Sequence, residues 1–140
     1  MLRITSMTIG ETPRGPFLEI ATNLKLHLKK FARFDHRVYK NEATLTDSLP
    51  KDAFLVVLDA DGKAFDSESF AKEVERWEDT GLHVAIILGG PHGLSDELKK
   101  RAHLLLSLSP MTTTHDLAHL FYLEQLYRAC SIVKGMKYHY

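Results

Sequence analysis

The sequence predicts a single α/β domain in which helices cover both faces of a parallel sheet. Three short apolar runs, at residues 54–58, 84–88 and 104–106, have the length and composition of buried strands. Segments with helical spacing separate these runs, which is the order expected of parallel strands. A length of 140 residues fits one domain, so residues 1–140 are taken as one unit.

Composition and the single cysteine indicate a soluble protein of a reducing compartment. Apolar residues make up 44% of the chain and charged residues 26%, as in ordinary globular proteins. Cys130 is the sole cysteine, so no internal disulfide can form. No apolar run approaches the roughly 18 residues of a membrane span, and no long apolar segment marks a secretory leader. We therefore expect a cytoplasmic protein with no membrane contact.

Charge is unevenly distributed along this chain, whose net charge is zero. Residues 1–40 contain 8 basic and 3 acidic side chains, residues 41–100 contain 6 and 13, and residues 101–140 contain 4 and 2. A basic amino-terminal part is suited to phosphate contact. Charge alone favours a simpler interpretation, in which these lysines and arginines belong to a solvated helix face.

The first half of the chain contains two predicted strands and one predicted helix. Residues 2–9 are expected to form a strand, and helical spacing predicts a helix over residues 17–33. Residues 37–39 form a short second strand, and residues 41–51 form a polar connection. The apolar stripe of the helix consists of Phe17, Ala21, Leu24, Leu28 and Phe31, and its exposed side carries Lys25, Lys29 and Lys30.

Capping residues mark the helices of the second half. Ser67 is expected to cap a helix that ends near Gly81. Ser95 is expected to cap the next helix, whose first turn is acidic, as suits the helix dipole. The apolar stripe of the first of these helices consists of Phe70, Ala71, Val74 and Trp77.

The last predicted helix, residues 117–133, is apolar on nearly every side. A helix with this composition is buried on more than one face. One face can pack on the chain's own sheet. The other most simply meets a second copy of the chain across a two-fold axis, so we expect a homodimer.

Each apolar run of the second half leads into a loop suited to ligand contact. Ligands bind outside the carboxyl ends of the strands in open α/β sheets, so residues 59–63, 89–93 and 107–114 should line one crevice. Glycines at 89, 90 and 93 allow close approach of the backbone and positive φ. The hydroxyl-rich third loop could hold an adenine by main-chain hydrogen bonds. Taken alone, each loop is equally an ordinary turn.

The histidines and charged residues near the C-terminus each allow two interpretations. His115 and His119 have the i, i+4 spacing of a zinc site, but no third ligand follows, so no metal is predicted. His119 is expected to be a partly buried helix residue. Glu124 and Arg128 can pair across one turn, structurally or in a site. The tail ending in Tyr138 and His139 is suited to base stacking, or is a frayed terminus.

Several of these segments together resemble the ribosomal RNA large subunit methyltransferase H family, of the SPOUT superfamily. The segments are Leu58-Asp59, Gly62-Lys63, Ile87 to Ser95 with its Gly-Gly-Pro-His-Gly core, Ser107-Leu108-Ser109, Leu123 to Ala129, and Tyr138-His139. The resemblance implies a SPOUT-type fold with a C-terminal trefoil knot and a homodimer. It also implies transfer of a methyl group from S-adenosylmethionine to N3 of a pseudouridine in 23S ribosomal RNA, on the ribosome, with no DNA partner.

The resemblance also assigns site residues by position. Those near the acceptor base or the RNA are His115, Glu124, Arg128, Tyr138 and His139. Those at the cofactor are Leu58, Gly89, Leu108, Ser109, Pro110, Met111, Thr112 and Thr113. The chain departs from the family pattern at His92, Pro110, Thr113-Thr114, His119, Lys137 and Tyr140. Two alternatives remain open: a SPOUT methyltransferase with another RNA target, and a non-catalytic, dimeric ribosome-binding module.

Overall fold

The computed structural model describes residues 1–10 and 12–138. Over these residues strands and helices alternate without exception. The strands are β1 (Leu2–Ile9), β2 (Ala32–Tyr39), β3 (Phe54–Ala64), β4 (His83–Leu88) and β5 (Leu104–Ser107). The helices are α1 (Pro16–Leu28), α2 (Glu42–Asp47), α3 (Ser67–Asp79), α4 (Asp96–Arg101) and α5 (His115–Val133). No helix among the described residues combines the length and apolar character needed to cross a bilayer.

The five strands form one parallel sheet in the order β2-β1-β4-β3-β5. The parallel sheet expected from the apolar runs is therefore confirmed. Because all strands run the same way, their carboxyl ends lie along one edge of the sheet and their amino ends along the other. The loops after β4 and β5 thus share the carboxyl edge. Residues 59–63, expected to form a loop there, instead continue β3 to Ala64 with a shift in register.

Helices cover both faces of this sheet, as expected. Alternate side chains of β1 point to opposite faces, so Ile4 packs with α1, α3 and α5 while Met7 packs with α2 and α4. The larger cluster contains the predicted α3 stripe, with Trp77 completely buried. The smaller cluster is closed by Leu45 of α2 and Leu98 of α4.

Helix α1 is shorter than the helical spacing predicts. It ends at Leu28 rather than at residue 33, and β2 begins at Ala32. Ala32 and Phe34 are buried and alternate with exposed residues, which is the period of a strand. The helical spacing of apolar residues that ends at Phe31 overlaps the start of this segment, so the sequence did not reveal it. Lys25 is also partly buried rather than solvent-facing, and burial lowers its pKa.

The connection after β2 contains a helix that the sequence analysis did not predict. The side chain of Asn41 accepts a hydrogen bond from the N–H of Thr44 at 2.9 Å, which caps α2. Only Leu45 of the six residues in this helix is buried, so the segment shows no helical spacing of apolar residues. At α3 the cap is Asp66 rather than Ser67, whereas Ser95 caps α4 as predicted.

Helix α5 is buried on the side that faces the sheet and open on the other. Leu123 and Leu126 are fully buried, but Leu117 and Phe121 are 45% and 43% exposed. Helix α1, which packs beside α5, adds Leu18, Ile20 and Leu26, each more than half exposed. An apolar surface on α1 and α5 therefore remains uncovered in the single chain.

A group of polar side chains lies between α5 and the sheet; we call Ser6, His36, His119 and Tyr122 the histidine cluster, in which His36 is half-buried and the other three are buried. Ser6 shares hydrogen bonds with Tyr122 and, at 3.2 Å, with Nδ1 of His36. The His119 ring lies 4.9 Å from that of His36 and 5.2 Å from that of Tyr122. Neither ring nitrogen of His119 makes a hydrogen bond of normal geometry to a described residue. Burial lowers the pKa of His36 to about 4 and that of His119 to about 3.

Candidate active-site cleft

A cleft of about 1200 Å³ opens at the carboxyl edge of the sheet, between residues 58–60 of β3, the loops after β4 and β5, and helices α1 and α5. Its volume exceeds the roughly 300–1,000 Å³ typical of a site for one small ligand. Ten of the residues assigned by resemblance line it: Leu58, Gly89, Leu108, Ser109, Met111, Thr112, Thr113, His115, Glu124 and Tyr138. Pro110 and Arg128 lie outside its lining, and His139 lies outside the described residues.

One wall of the cleft is an irregularity at the end of β3. Pairing with β5 shifts register between Leu58 and Lys63, so the intervening residues bulge from the ladder. Gly62 permits this, because a Cβ there would lie 2.5 Å from the carbonyl oxygen of Leu105. Ser107 fixes the bulge by donating a hydrogen bond to the carbonyl of Ala60 at 3.0 Å.

The bulge presents Asp59 to the cleft. Its carboxylate accepts a hydrogen bond from the N–H of Asp61 at 3.1 Å and forms an ion pair with Lys99 of α4 at 3.2 Å. The Asp61 N–H, and then Lys99, lower the pKa of Asp59, so it stays ionised. The sequence analysis placed Asp59 in a segment expected to line the crevice but gave it no role, and it did not select Lys99. Lys99 is 40 positions further along the chain, and only the fold brings it to Asp59.

The glycine turn after β4 forms a second wall. The N–H of Gly93 donates to the carbonyl of Gly90 at 3.0 Å, and Gly93 has a φ of 72°. A positive φ was one of the two reasons to expect glycine at position 89, but Gly89 does not adopt one. A Cβ on Gly89 would lie 2.9 Å from Cγ of Leu94 and 3.2 Å from the carbonyl carbon of Gly93. Glycine is needed at position 89 so that the turn can fold onto itself.

The loop from Leu108 to Thr114 forms the third wall and leads into α5. Ser109 accepts a hydrogen bond at its Oγ from the N–H of Met111 at 3.0 Å, which folds the loop locally. Met111 is 82% exposed at the mouth of the cleft. Thr114 caps α5 by accepting from the N–H of Leu117, and His115 therefore starts the helix inside the cleft.

Glu124 organises the polar side chains at the α5 end of the cleft. Its Oε1 accepts from Nη2 of Arg128 at 2.6 Å and from the hydroxyl of Tyr138 at 3.2 Å. Its Oε2 accepts from Nε2 of Gln125 at 2.8 Å. The guanidinium of Arg128 lies 5.1 Å from the ring centroid of Tyr138. The i, i+4 pair therefore forms within one chain and fixes the tail residue Tyr138 against α5.

These environments differ in the proton chemistry they allow. Burial, followed by the charge of Glu124, raises the pKa of Tyr138, so its hydroxyl stays protonated and can donate at neutral pH. Both carboxylate oxygens of Glu124 already accept hydrogen bonds. No side-chain hydrogen bond joins His115 to a described residue, and His115 lines the cleft. Within residues 1–10 and 12–138, no three His, Cys, Asp or Glu side chains lie close enough together to hold a metal ion.

Comparison with known proteins decides the family. A family model described as "Predicted SPOUT methyltransferase" matches residues 3–139. This chain belongs to that family. A protein of Pseudothermotoga lettingae named ribosomal RNA large subunit methyltransferase H is 38% identical over 124 residues, covering 89% of this chain and 82% of the relative. The family expected from the resemblance is thereby confirmed.

A second relative and one solved structure are also similar to this chain. A protein of the same name from Desulfotalea psychrophila is 50% identical over 96 residues, covering 68% of this chain and 63% of the relative. A crystal structure of a probable methyltransferase from Bordetella pertussis Tohama I has a TM-score of 0.57 and 16% identity. The matched region covers 92% of this chain and 95% of the Bordetella protein. At this identity the structural likeness supports the fold alone.

Proposed function

We propose that this chain transfers the methyl group of S-adenosylmethionine to N3 of a pseudouridine in the 23S RNA of the large ribosomal subunit. The observation that carries the proposal is the single cleft that gathers ten of the residues assigned by resemblance. The relatives named ribosomal RNA large subunit methyltransferase H support the reaction and the substrate class. We place this activity in the cytoplasm, where ribosomes are found.

The walls of the cleft suit S-adenosylmethionine, which supplies an electrophilic methyl carbon on a sulfonium. Leu58 and Leu108 offer apolar surface to an adenine, and the glycine turn at 89–93 brings backbone close without side chains. The loop from Leu108 to Thr113 contributes main-chain polar groups. We further propose that this loop is threaded to form the trefoil knot of SPOUT enzymes.

The acceptor nitrogen needs to lose a proton and to meet the methyl carbon in line. We assign proton removal to His115, since both oxygens of Glu124 are occupied and Tyr138 stays protonated. Tyr138 would donate a hydrogen bond to a base oxygen, where charge develops as N3 is deprotonated. Glu124 and Arg128 act by holding Tyr138 in place.

We also propose that the enzyme is a homodimer built on the uncovered apolar surface of α1 and α5. Leu18, Ile20 and Leu26 of α1 and Leu117 and Phe121 of α5 are exposed apolar side chains, and exposed apolar surface favours a partner. Three of these residues, Ile20, Leu117 and Phe121, also line the cleft, so the second copy would close its open side. Sedimentation should give a dimer at micromolar concentration, and Phe121→Asp should give a monomer.

Two measurements test the reaction. Calorimetry with S-adenosylhomocysteine should show one site per chain, which would exclude the non-catalytic ribosome-binding module. A tritium-transfer assay on ribosomes lacking the modification, followed by mapping of the labelled base, should place the methyl group on a pseudouridine N3. Label on a different RNA would identify the alternative SPOUT enzyme, and absence of cofactor binding would contradict the proposed function.

A further inference from the structure

The amino edge of the sheet carries an exposed basic surface on the face covered by α2 and α4. The apolar cluster on that face contains Met7, Tyr39 and Ile87, which lie toward the carboxyl ends of their strands. Arg3 and Arg33 lie on the same face at the amino ends of β1 and β2, and Arg37 follows on edge strand β2 at the position opposite Met7. All three lie outside this cluster and are exposed. We call these three arginines, together with Lys29 at the rim, the arginine platform.

Strand register holds the arginine platform together. Arg3 of β1 lies directly opposite Arg33 of β2 and opposite His83 of β4. Arg33 and Arg37 are on the same face of β2 because side chains alternate along a strand. The four cations surround a shallow groove of about 370 Å³. Because rigid strands carry the arginines, their spacing is set by the sheet.

The charge of the arginine platform is only partly neutralised. Asp35 is the one acidic residue in the groove lining, and its carboxylate accepts from Nε of Arg37 at 2.8 Å. Four cations with one carboxylate leave a net charge of +3. Burial, followed by the charges of Arg3 and Arg37, lowers the pKa of His83, which lies opposite Arg3 on β4. Thr5 binds the ring of His83 at 2.8 Å and keeps it in the sheet.

This surface has the chemistry of a phosphate-binding face. Guanidinium groups match phosphate oxygens with paired hydrogen bonds, and the three arginines of the platform are exposed along two adjacent strands. We propose that the arginine platform binds backbone phosphates of the folded ribosomal RNA substrate, at the opposite end of the sheet from the methyl-transfer cleft. This inference rests on the proposed function.

The distance between the two surfaces defines what the platform can contact. β1 has eight residues and a rise of about 3.3 Å per residue, so Arg3 lies roughly 20 Å from the carboxyl end of the strand, at the edge where the cleft opens. A short single-stranded acceptor segment in the cleft would not reach the platform. The platform would therefore contribute to binding of the ribosomal particle but not of a short acceptor oligonucleotide.

The test compares a triple variant with a matched control. In the platform variant Arg3→Gln, Arg33→Gln and Arg37→Gln are combined. In the control Lys51→Gln, Lys72→Gln and Arg101→Gln remove three exposed cations elsewhere. Binding to large ribosomal subunits lacking the modification is measured from about 50 to about 200 mM salt. We expect the slope of log affinity against log salt to fall by about 3 in the platform variant and to stay unchanged in the control.

Each outcome bears on the proposal. An unchanged slope in the platform variant would overturn it, and so would an equal loss in the control. Self-association of the platform variant with an intact slope would show that the arginines only protect the edge strand β2, which would also overturn it. If the triple variant fails to fold, Arg33→Gln alone should lower the slope by about 1. Wild-type protein that binds subunits with the full slope but transfers no methyl group would refute the proposed function and leave the platform intact.

Discussion

Helix α5 separates two groups of polar side chains that the fold treats in opposite ways. In the cleft, Glu124 and Arg128 form an ion pair, Gln125 and Tyr138 donate hydrogen bonds to the same carboxylate, and the group is reachable from solvent. In the histidine cluster, His36 is half-buried, His119 is fully buried, both are neutral, and His119 lacks hydrogen bonds of normal geometry to described residues. Polar residues on one helix thus line the cleft on one side and pack against the sheet on the other. Changes in the cleft should alter activity without altering stability, and changes in the histidine cluster should do the reverse.

Removal of the tail should have the largest effect on the cleft side of this comparison. Deletion of residues 138–140 takes away the Tyr138 hydroxyl and its ring contact with Arg128. We expect methyl transfer to ribosomes to fall by about 10³-fold or more, while the affinity for S-adenosylhomocysteine stays within about twofold. Tritium transfer and calorimetry measure the two quantities. Full activity in the truncated protein would show that Tyr138 has no part in the reaction.

Gly89→Val should disrupt the cofactor wall of the cleft. Its side chain would meet Leu94 and the backbone of Gly93, so the turn that approaches the cofactor would be displaced. We expect affinity for S-adenosylmethionine to fall by about 100-fold or more in a protein that still melts cooperatively. Calorimetry on the folded variant checks this, with Gly89→Ala as the control that introduces only the Cβ and loses less. Unchanged affinity in Gly89→Val would remove the glycine turn from the site.

His115→Asn tests the assignment of proton removal. The amide keeps a polar group at the start of α5 but cannot accept the N3 proton. We expect kcat to fall by about 100-fold, with cofactor affinity unchanged, and the acid limb of the kcat–pH profile to disappear. Single-turnover assays across pH give both results. A profile that keeps its acid limb would assign the proton to another group.

The histidine cluster should show itself in acid stability. The folded-state pKa values, about 4 for His36 and about 3 for His119, lie below the ordinary value of 6.5. The unfolded chain therefore binds more protons, and stability present above pH 6.5 is lost as pH falls toward 3. Each histidine contributes a slope of about 1.4 kcal/mol per pH unit within that window. His119→Phe should remove about half of the slope in urea unfolding and leave kcat intact, and an unchanged slope would contradict the assignment.

Much of the fold could be predicted because its strands are short apolar runs. Residues 84–88 match β4 almost to the residue, and buried Trp77 lies on the predicted α3 stripe. The predictions fail where the apolar spacing of one element continues into the next, or where an element is too short to show any spacing. Phe31 continues the helical stripe of α1, although the chain has already turned toward β2. The single buried Leu45 leaves α2 without a periodic signal.

The site could be predicted only where residues adjoin a strand end or follow the family pattern. Leu58 and Gly89 follow directly from the β3 and β4 runs. Lys99 could not be selected, because its place in the cleft depends on an ion pair with Asp59 that spans two elements. Arg128 was predicted to pair with Glu124, and it does. Its guanidinium, however, lies over the ring of Tyr138, and Arg128 is outside the cleft lining.

The central place of β1 in the sheet has a consequence for how the chain folds during synthesis. β1 lies between β2 and β4, both of which follow it along the chain, and Thr5 of β1 bonds to His83, 78 positions later. β1 therefore keeps one edge unpaired until β4 has emerged, and sheets with such distant pairings fold slowly, in milliseconds to seconds. A chain proposed to modify ribosomes thus exposes an unpaired edge of β1 while a ribosome is still making it.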